Sequence, residues 1–574
     1  MSSLFGAYTF AAENAVIWII ASYGAYLLLR AGIFAVPQVG FMAIGAFASG
    51  VWTTRISHNI VVGAIFGALF AAVVGIVLGF LLRRLAGIYL AIATIAFVVV
   101  VQILCTNFSI TGGALGLIGI PLLPNGNSLL ITLGAVIVVM IALSYSWAGR
   151  AMDVLREQSV VAAHFGVNVG MYRVALFGVS GLLGGLAGAL LGNMAGFIQP
   201  GQFGFSSISQ IVAVVVIGGT FRALGPLIGG VIVFGLPEVV TSLGAYATMI
   251  DGVLLLVVVV AVPGGVASLP DLVVSAARRW RERRSVDIAM LSQASSNAPS
   301  TAVGSTMTPV DETASPSASC VGDILMTLQS ISHSYGGVTA LDDVSFDIRR
   351  GEVLGLIGPN GSGKTTLLNV ISGAIRPKSG SIVFESTDMA RMLGRPDRIA
   401  RAGVVRTFQN IRLVPSMSAR ENVAFGAYRR APRLLVSFSW AKAHRASSEI
   451  RLQTSTVFAS DRWDLPSPNA RVSRLPYGTQ RQLEIERALA ARPKLFLLDE
   501  PAAGMTPTER AHVFGRLREL AHAGVTIVVI EHDLESLRMH CDRIAVLNFG
   551  HLLTIGEPDQ VATSPEVAEA YLGV

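Results

Sequence analysis

The sequence predicts an α-helical polytopic membrane domain of about nine transmembrane helices, joined to an α/β domain of the P-loop NTPase type. Three observations carry this expectation. The first half of the 574 residues holds long apolar runs with hardly any charge. The last 250 or so have the mixed charge of a water-exposed domain. Between an apolar strand and an apolar helix of that second half stands a glycine-rich octapeptide ending in Lys-Thr. The expected domains are residues 1–275, a linker at 276–323, and residues 324–574.

A helix needs about 20 apolar residues to cross a bilayer. Segments of that kind are expected near 8–29, 32–52, 60–82, 87–106, 128–147, 174–197, 207–221, 225–246 and 249–268. The seventh is short and the eighth contains Pro237. With the N-terminus outside, nine crossings put Arg30, Arg83, Arg84, Arg150, Arg156, Arg173, Arg222, Arg278, Arg279, Arg281, Arg283 and Arg284 on one side, and only Arg55 on the other. That asymmetry makes the end carrying the α/β domain cytoplasmic. The formal net charge of +7 does not imply nucleic acid: no lysine precedes residue 285, and the arginines cluster at the ends of apolar segments. The N-terminus lacks the basic region of a cleaved signal peptide. Cys105, Cys320 and Cys541 are too scattered for a metal site or a disulfide framework and read as reduced.

Within the membrane half, Gly184, Gly188, Gly192 and Gly196 recur every fourth residue, a spacing that lets a neighbouring helix backbone approach closely. Packing is the expected role, with a solute-lining face as the alternative. AGIFAVPQVGF (Ala31–Phe41) and AGFIQPGQFGF (Ala195–Phe205) look alike and fall at opposite faces of the expected topology, as the halves of an inverted repeat would. Charges are nearly absent. Glu13 lies at an outer end, and Glu238 is the main candidate for a functional intramembrane charge, or sits at the outer interface. Residues from about 276 to 323, rich in Ser, Ala, Thr and Pro after a basic cluster around Trp280, predict a flexible tether.

In the second half, Gly358-Pro359-Asn360-Gly361-Ser362-Gly363-Lys364-Thr365 fits the P-loop pattern without a mismatch. It follows an expected strand, Val353 to Ile357, and enters an expected helix, Thr366 to Ile371. The glycines let backbone N–H groups curl round phosphates, to which the helix N-terminus adds its positive end. Lys364 would reach the β- and γ-phosphates of ATP, and Thr365 would ligate Mg²⁺. Leu495-Phe496-Leu497-Leu498-Asp499-Glu500 reads as a buried strand ending in two carboxylates, Asp499 to hold Mg²⁺ and Glu500 to act as general base on the attacking water.

With these motifs in place, the region resembles the ATPase of ABC transporters along its whole length. The resemblance implies that Tyr335 stacks on adenine and that Thr366 belongs to the nucleotide site. It implies that Gln409 reaches Mg²⁺ and senses the permease, and that His532 is the switch histidine for the γ-phosphate. The family's signature is here Leu475-Pro476-Tyr477-Gly478-Thr479, so Tyr477, Gly478 and Thr479 are expected to cap ATP on an opposite subunit. Pro476 replaces a serine, and Thr506 replaces an aspartate expected shortly after Glu500, which predicts two unequal sites in the dimer. In the loop Gly149–Arg173, Val161 to Gly166 loosely resembles the segment by which importer permeases dock on their ATPase; a helix lying on the membrane surface is the alternative.

The resemblance narrows further. GIYLAIATIAF (Gly87–Phe97), TGGALGLIGIP (Thr111–Pro121), GRAMDVLREQSVVAAHFGVNV (Gly149–Val169) and IGGTFRALGPLIGG (Ile217–Gly230) look like the permease of branched-chain amino acid importers. RTFQNIRL (Arg406–Leu413), LPYGTQRQLEIERALA (Leu475–Ala490), LLDEPAAGM (Leu497–Met505) and AYLGV (Ala570–Val574) resemble one of that system's two ATPases, in which the signature serine is often lost. This implies ATP-driven import of a small polar solute across the inner membrane, with a second permease, a second ABC ATPase and an extracytoplasmic solute-binding protein as partners beside membrane lipid. A homodimeric ABC exporter, an importer for urea, amides or aromatic acids, and a membrane-anchored ATPase without transport are the alternatives.

Overall fold

The computed structural model describes residues 2–123, 126–239, 265–268, 322–430 and 465–572, with isolated positions at 249, 253, 256, 454, 457 and 458. Most of the expected ninth segment, the arginine cluster at 278–284, nearly all of the linker and the Glu238 side chain lie outside the described residues. The described residues fall into two compact units, one drawn from Met1–Tyr145 and Gly170–Glu312, the other from Ser146–Val169 and Thr313–Val574.

The first unit is helical: α1 (Ser2–Arg30), α2 (Gln38–Arg55), α3 (Ile60–Leu82), α4 (Ile88–Asn107), α5 (Asn127–Tyr145), α7 (Val169–Ala195), α8 (Phe205–Gly218) and α9 (Gly225–Val239). The intervening α6 (Trp147–His164) belongs to the other unit. Among the described residues, five helices (in α1, α3, α4, α5 and α7) are long and apolar enough to cross a membrane, and α8 and α9 include shorter apolar helices. Local chemistry sets the ends: the Asn59 carboxamide caps α3 by accepting from the amides of Val61 and Val62. The second expected segment starts late. Residues 31–37 are not helical, because Gly32 turns the chain at φ 72° and Pro37 stands as N-cap before Gln38.

Both look-alike stretches are helix breaks opened by a left-handed glycine, and the second also holds a short strand, β2 (Phe197–Ile198), paired antiparallel with β1 (Leu117–Ile118), and a 3-10 turn at Pro200–Phe203. Gly196 takes φ 73°, matching Gly32, and each break leads into the next helix of the bundle. They also pack reciprocally. Gln38, at the end of the first break, exchanges hydrogen bonds with Ser180 of α7 (Oγ to Oε1, 2.7 Å; Nε2 to the Ser180 carbonyl, 3.3 Å). Phe203, in the second break, packs on Phe47 of α2 with ring centroids 6.3 Å apart. The glycine row serves packing. A Cβ on Gly188 would lie 1.9 Å from the Met42 carbonyl oxygen, and one on Gly184 would meet Gln38 and Phe41 at 2.8 Å.

The α/β part of the second unit begins with a four-stranded antiparallel sheet in the order β4 (Val338–Arg349), β3 (Ile324–Tyr335), β6 (Ser379–Phe384), β7 (Thr387–Asp388). A six-stranded sheet runs β12 (His551–Gly556), β11 (Arg543–Asn548), β5 (Val353–Ile357), β10 (Thr526–Ile530), β9 (Leu495–Asp499), β8 (Val404–Arg406). All its pairings are parallel except β11–β12. β5, β9 and β10 are buried at every position, as apolar parallel strands covered on both faces must be. Parallel pairing delivers the C-terminal ends of β5 and β9 to the same edge, the place where open α/β sheets bind ligands.

Candidate nucleotide site and its docked helix

β5 ends at Ile357 and the chain turns through Gly358–Gly363 into the helix Lys364–Ile371, two residues earlier than the sequence predicts. Gly358 is obligatory: it takes φ 152°, and a Cβ there would lie 2.1 Å from the Leu547 carbonyl oxygen. The helix N-cap, Gly363, is left-handed and supplies no side-chain cap, so its first amides and the positive end of its dipole are left for an anion. Lys364 is buried, and its Nζ donates to the carbonyls of Gly358 (2.7 Å) and Pro359 (2.9 Å) and to Ser362 Oγ (3.4 Å). Burial lowers its pKa, while the charges of Glu500 and Asp499 oppose that. This donor set fits a phosphate chain: a cation and free amides at one loop, with two carboxylates facing them.

Those carboxylates come from β9. Asp499 is buried and its Oδ2 accepts from Arg406 Nη2 at 2.9 Å. Burial pulls the Arg406 pKa down and Asp499 opposes the pull. Glu500 leaves the strand with φ 49°, an uncommon conformation for a non-glycine residue that here turns its carboxylate to His532, Nε2 to Oε1 at 2.8 Å. Glu531, buried beside them, accepts from the Ala502 amide at 3.1 Å; burial raises its pKa, and that amide opposes the rise. Tyr335 is half exposed and meets the His333 ring edge-on at 4.8 Å. Gln409 is exposed, and Thr365 lies on the exposed side of the P-loop helix, whose next residue is Thr366.

The signature segment begins the helix Tyr477–Ala490. Pro476 is its N-cap and makes no side-chain cap, the expected consequence of losing a serine hydroxyl. This segment lies near the loop after β9 and the helix that follows it: a Cβ on Gly504 would meet Tyr477 Cε1 at 3.6 Å, and one on Gly478 would meet Glu509 Oε1 at 3.1 Å. Thr506 caps the following helix in a reciprocal pair with Glu509.

The loop expected to dock does so. α6 bends at Gln158, whose φ/ψ of −144°/66° break the helix, and its second half packs into the ATPase body. Val161, Ala162, Phe165 and Val167, the apolar face read from the sequence, are buried. Phe165 meets Phe425 (6.0 Å), Trp147 meets Tyr428 (6.0 Å) and His164 meets Phe408 edge-on (5.1 Å). Arg401 Nε donates to the Gly166 carbonyl at 2.9 Å, and the Ser416 amide to Glu157 Oε2 at 3.3 Å. Burial drives the His164 pKa down to about 4; the Val160 carbonyl opposes this, and the charges of Arg406 and Arg412 add to it.

Sequence reasoning missed several buried charges here, among them Arg406, Glu531, Arg481, Glu484 and Arg487. The spacing of the last three, every third residue on one helix, puts them on a single face and was the available signal.

A P-loop at the edge of a mostly parallel sheet and two carboxylates opposite it define a P-loop ATPase, here joined in one chain to a set of apolar helices. Residues 341–503 match the family model described as ABC transporter, and residues 8–263 match the one described as branched-chain amino acid transport system / permease component. The high-affinity branched-chain amino acid transport ATP-binding protein LivG of Salmonella typhimurium is 36% identical over 252 residues, covering 43% of this chain and 98% of that protein. The corresponding protein BraF of Pseudomonas aeruginosa is 34% identical over 251 residues, again 43% and 98%. A nucleotide-free ATP-binding cassette from an ABC transporter is 28% identical, covering 44% of this chain and 100% of that one with a TM-score of 0.37. The chain belongs to the ABC transporter family and carries, in one polypeptide, a permease domain of the branched-chain amino acid transport system and an ABC ATPase domain. It is a membrane protein whose ATPase domain is cytoplasmic and whose ATP hydrolysis is coupled to transport. An exporter is not favoured.

Proposed function

We propose that the chain drives ATP-dependent import of branched-chain or related amino acids across the inner membrane. It does so as one permease and one ATPase of an assembly completed by a second permease, a second ABC ATPase and an extracytoplasmic binding protein. The proposed division of the chain is permease 1–275, tether 276–323 and ATPase 324–574. The observation that carries the reading is the burial of α6 in the ATPase body: a segment lying between two helices of the permease sequence is held by the domain that hydrolyses ATP.

Lys364 and the amides of Gly361–Thr366 grip the phosphates, and Tyr335, steadied by the His333 edge, offers its face to adenine. Thr365, Asp499 and Gln409 would hold Mg²⁺, which screens phosphate charge when bound. Two or three oxygen donors suit an ion that keeps water and phosphate ligands, and among the described residues no cluster of three or more His, Cys, Asp or Glu forms a rival cage. Glu500 takes the proton of the attacking water, its carboxylate oriented by His532. Tyr477, Gly478 and Thr479 cap the nucleotide of the opposite subunit with the N-terminus of their helix. Because Pro476 leaves that N-terminus without a side-chain cap, the site capped in trans is the weaker of two, and unchanged turnover in Pro476→Ser would refute this inequality.

Uptake of a labelled amino acid panel by a strain deleted for this chain, with and without plasmid-borne chain, tests the substrate. Restored accumulation of leucine-like amino acids supports the reading. Restored accumulation of urea, amides or aromatic acids alone overturns it.

A further inference from the structure

We infer that Arg481, Glu484 and Arg487 are positioning residues that connect the docked helix α6 to the catalytic strand through the signature helix. At the α6 end, the Arg487 guanidinium lies 5.1 Å from the centroid of the Phe165 ring, and its Nη1 donates to the Arg412 carbonyl at 2.6 Å. Glu484 bridges the pair, accepting from Arg487 Nη2 (3.4 Å) and the Arg412 amide (3.2 Å) on Oε1, and from Arg481 Nη1 (2.7 Å) on Oε2. At the far end, Arg481 donates to the carbonyls of Asp499 (3.1 Å), Glu500 (2.5 Å) and Pro501 (3.2 Å). The same guanidinium holds the carbonyls of Phe408 (2.7 Å) and Gln409 (3.4 Å). One side chain therefore fixes the backbone of both nucleotide-facing segments, and Glu500 sits at φ 49° where backbone placement decides its aim.

All three side chains are at most 1% exposed. In so dry a setting the geometry is nearly all-or-none: shifting one charge leaves its neighbours buried and unpaired. A rigid ladder of this kind converts a displacement of Phe165 into a displacement of the Glu500 backbone. Simple scaffolding of the ATPase would not need the Phe165 end.

The inference rests on Glu500 as general base, so that assignment is checked separately. The full chain, reconstituted in lipid nanodiscs with the subunits that co-purify with it, is assayed for kcat and KM of ATP hydrolysis. Glu500→Gln is the control: retained hydrolysis refutes the base, whatever the other variants do. Phe165→Leu, Arg481→Lys and the double variant form a cycle. Each single change is expected to lower kcat about threefold or more with KM for ATP within about twofold, and the double variant to be no slower than the slower single one. A double variant whose loss equals the product of the two single losses overturns the inference, because unlinked positions behave that way. So does a KM that rises in step with the fall in kcat. Where Arg481→Lys yields no monodisperse protein, Glu484→Gln, which keeps the shape and removes the bridging charge, takes its place in the cycle with the same two criteria.

Discussion

Acidification should loosen α6 through His164. The imidazole is 4% exposed; its Nδ1 lies 2.9 Å from the Val160 carbonyl, its ring meets Phe408, and Arg406 and Arg412 present positive charge to it. Burial, the main cause, puts its pKa at about 4 when docked against an ordinary 6.5 when released. The released helix therefore binds more protons between those two values, so docking is at full strength above pH 6.5 and is lost progressively as pH falls toward 4. At pH 5 the loss amounts to about 2 kcal/mol, roughly thirtyfold in the docking equilibrium. Hydrogen exchange of residues 160–167 in nanodiscs, corrected for intrinsic rates, reads this directly: protection should drop about thirtyfold from pH 7.5 to pH 5. In His164→Gln, which cannot charge, the pH-dependent part should vanish. Equal pH dependence in both proteins would refute the reasoning.

Arg406→Met strands the Asp499 carboxylate, 2% exposed, without its ion partner, and should cost about 3–5 kcal/mol of ATPase-domain stability in denaturant melts. A loss under about 1 kcal/mol would show that water reaches Asp499. Gly188→Ala drives a methyl into the Met42 carbonyl where neither helix backbone can yield, so thermal stability of the detergent-solubilised chain should fall by about 1–3 kcal/mol. An unchanged melt would mean that α2 and α7 sit further apart. Tyr335→Ala removes the exposed ring beside His333 and should weaken binding of a fluorescent ATP analogue about tenfold, while Tyr335→Phe stays within about twofold. Equal losses in the two variants would take adenine off that ring.

The two-part architecture was legible because each part writes a strong periodic or compositional signal. Apolar runs of bilayer length gave α3 to the residue, and a strand–glycine–helix pattern gave β5 and the P-loop. The break after α1 was legible in the separate runs 8–29 and 32–52, but its length was not: Ile33 to Val36 are apolar and read as part of the second run, and only backbone geometry delays α2 to Gln38. Val161, Ala162, Phe165 and Val167 pointed to docking because they crowd one face, yet nothing in that stretch names Phe408 or Phe425 as neighbours. Ion pairs across the fold stayed invisible for the same reason. Arg406 and Asp499 are far apart in sequence and meet only because β8 pairs with β9 in register, Arg406 opposite Leu497.

Hydrolysis at Glu500 should be what moves solute through the attached helices. Proteoliposomes holding the purified assembly, its binding protein and trapped ATP, compared with the same assembly carrying Glu500→Gln, measure this directly. Labelled leucine should accumulate against its gradient only with the unaltered chain and only with ATP, the variant falling by about a hundredfold or more. Accumulation that survives Glu500→Gln, or that proceeds without ATP, would contradict it.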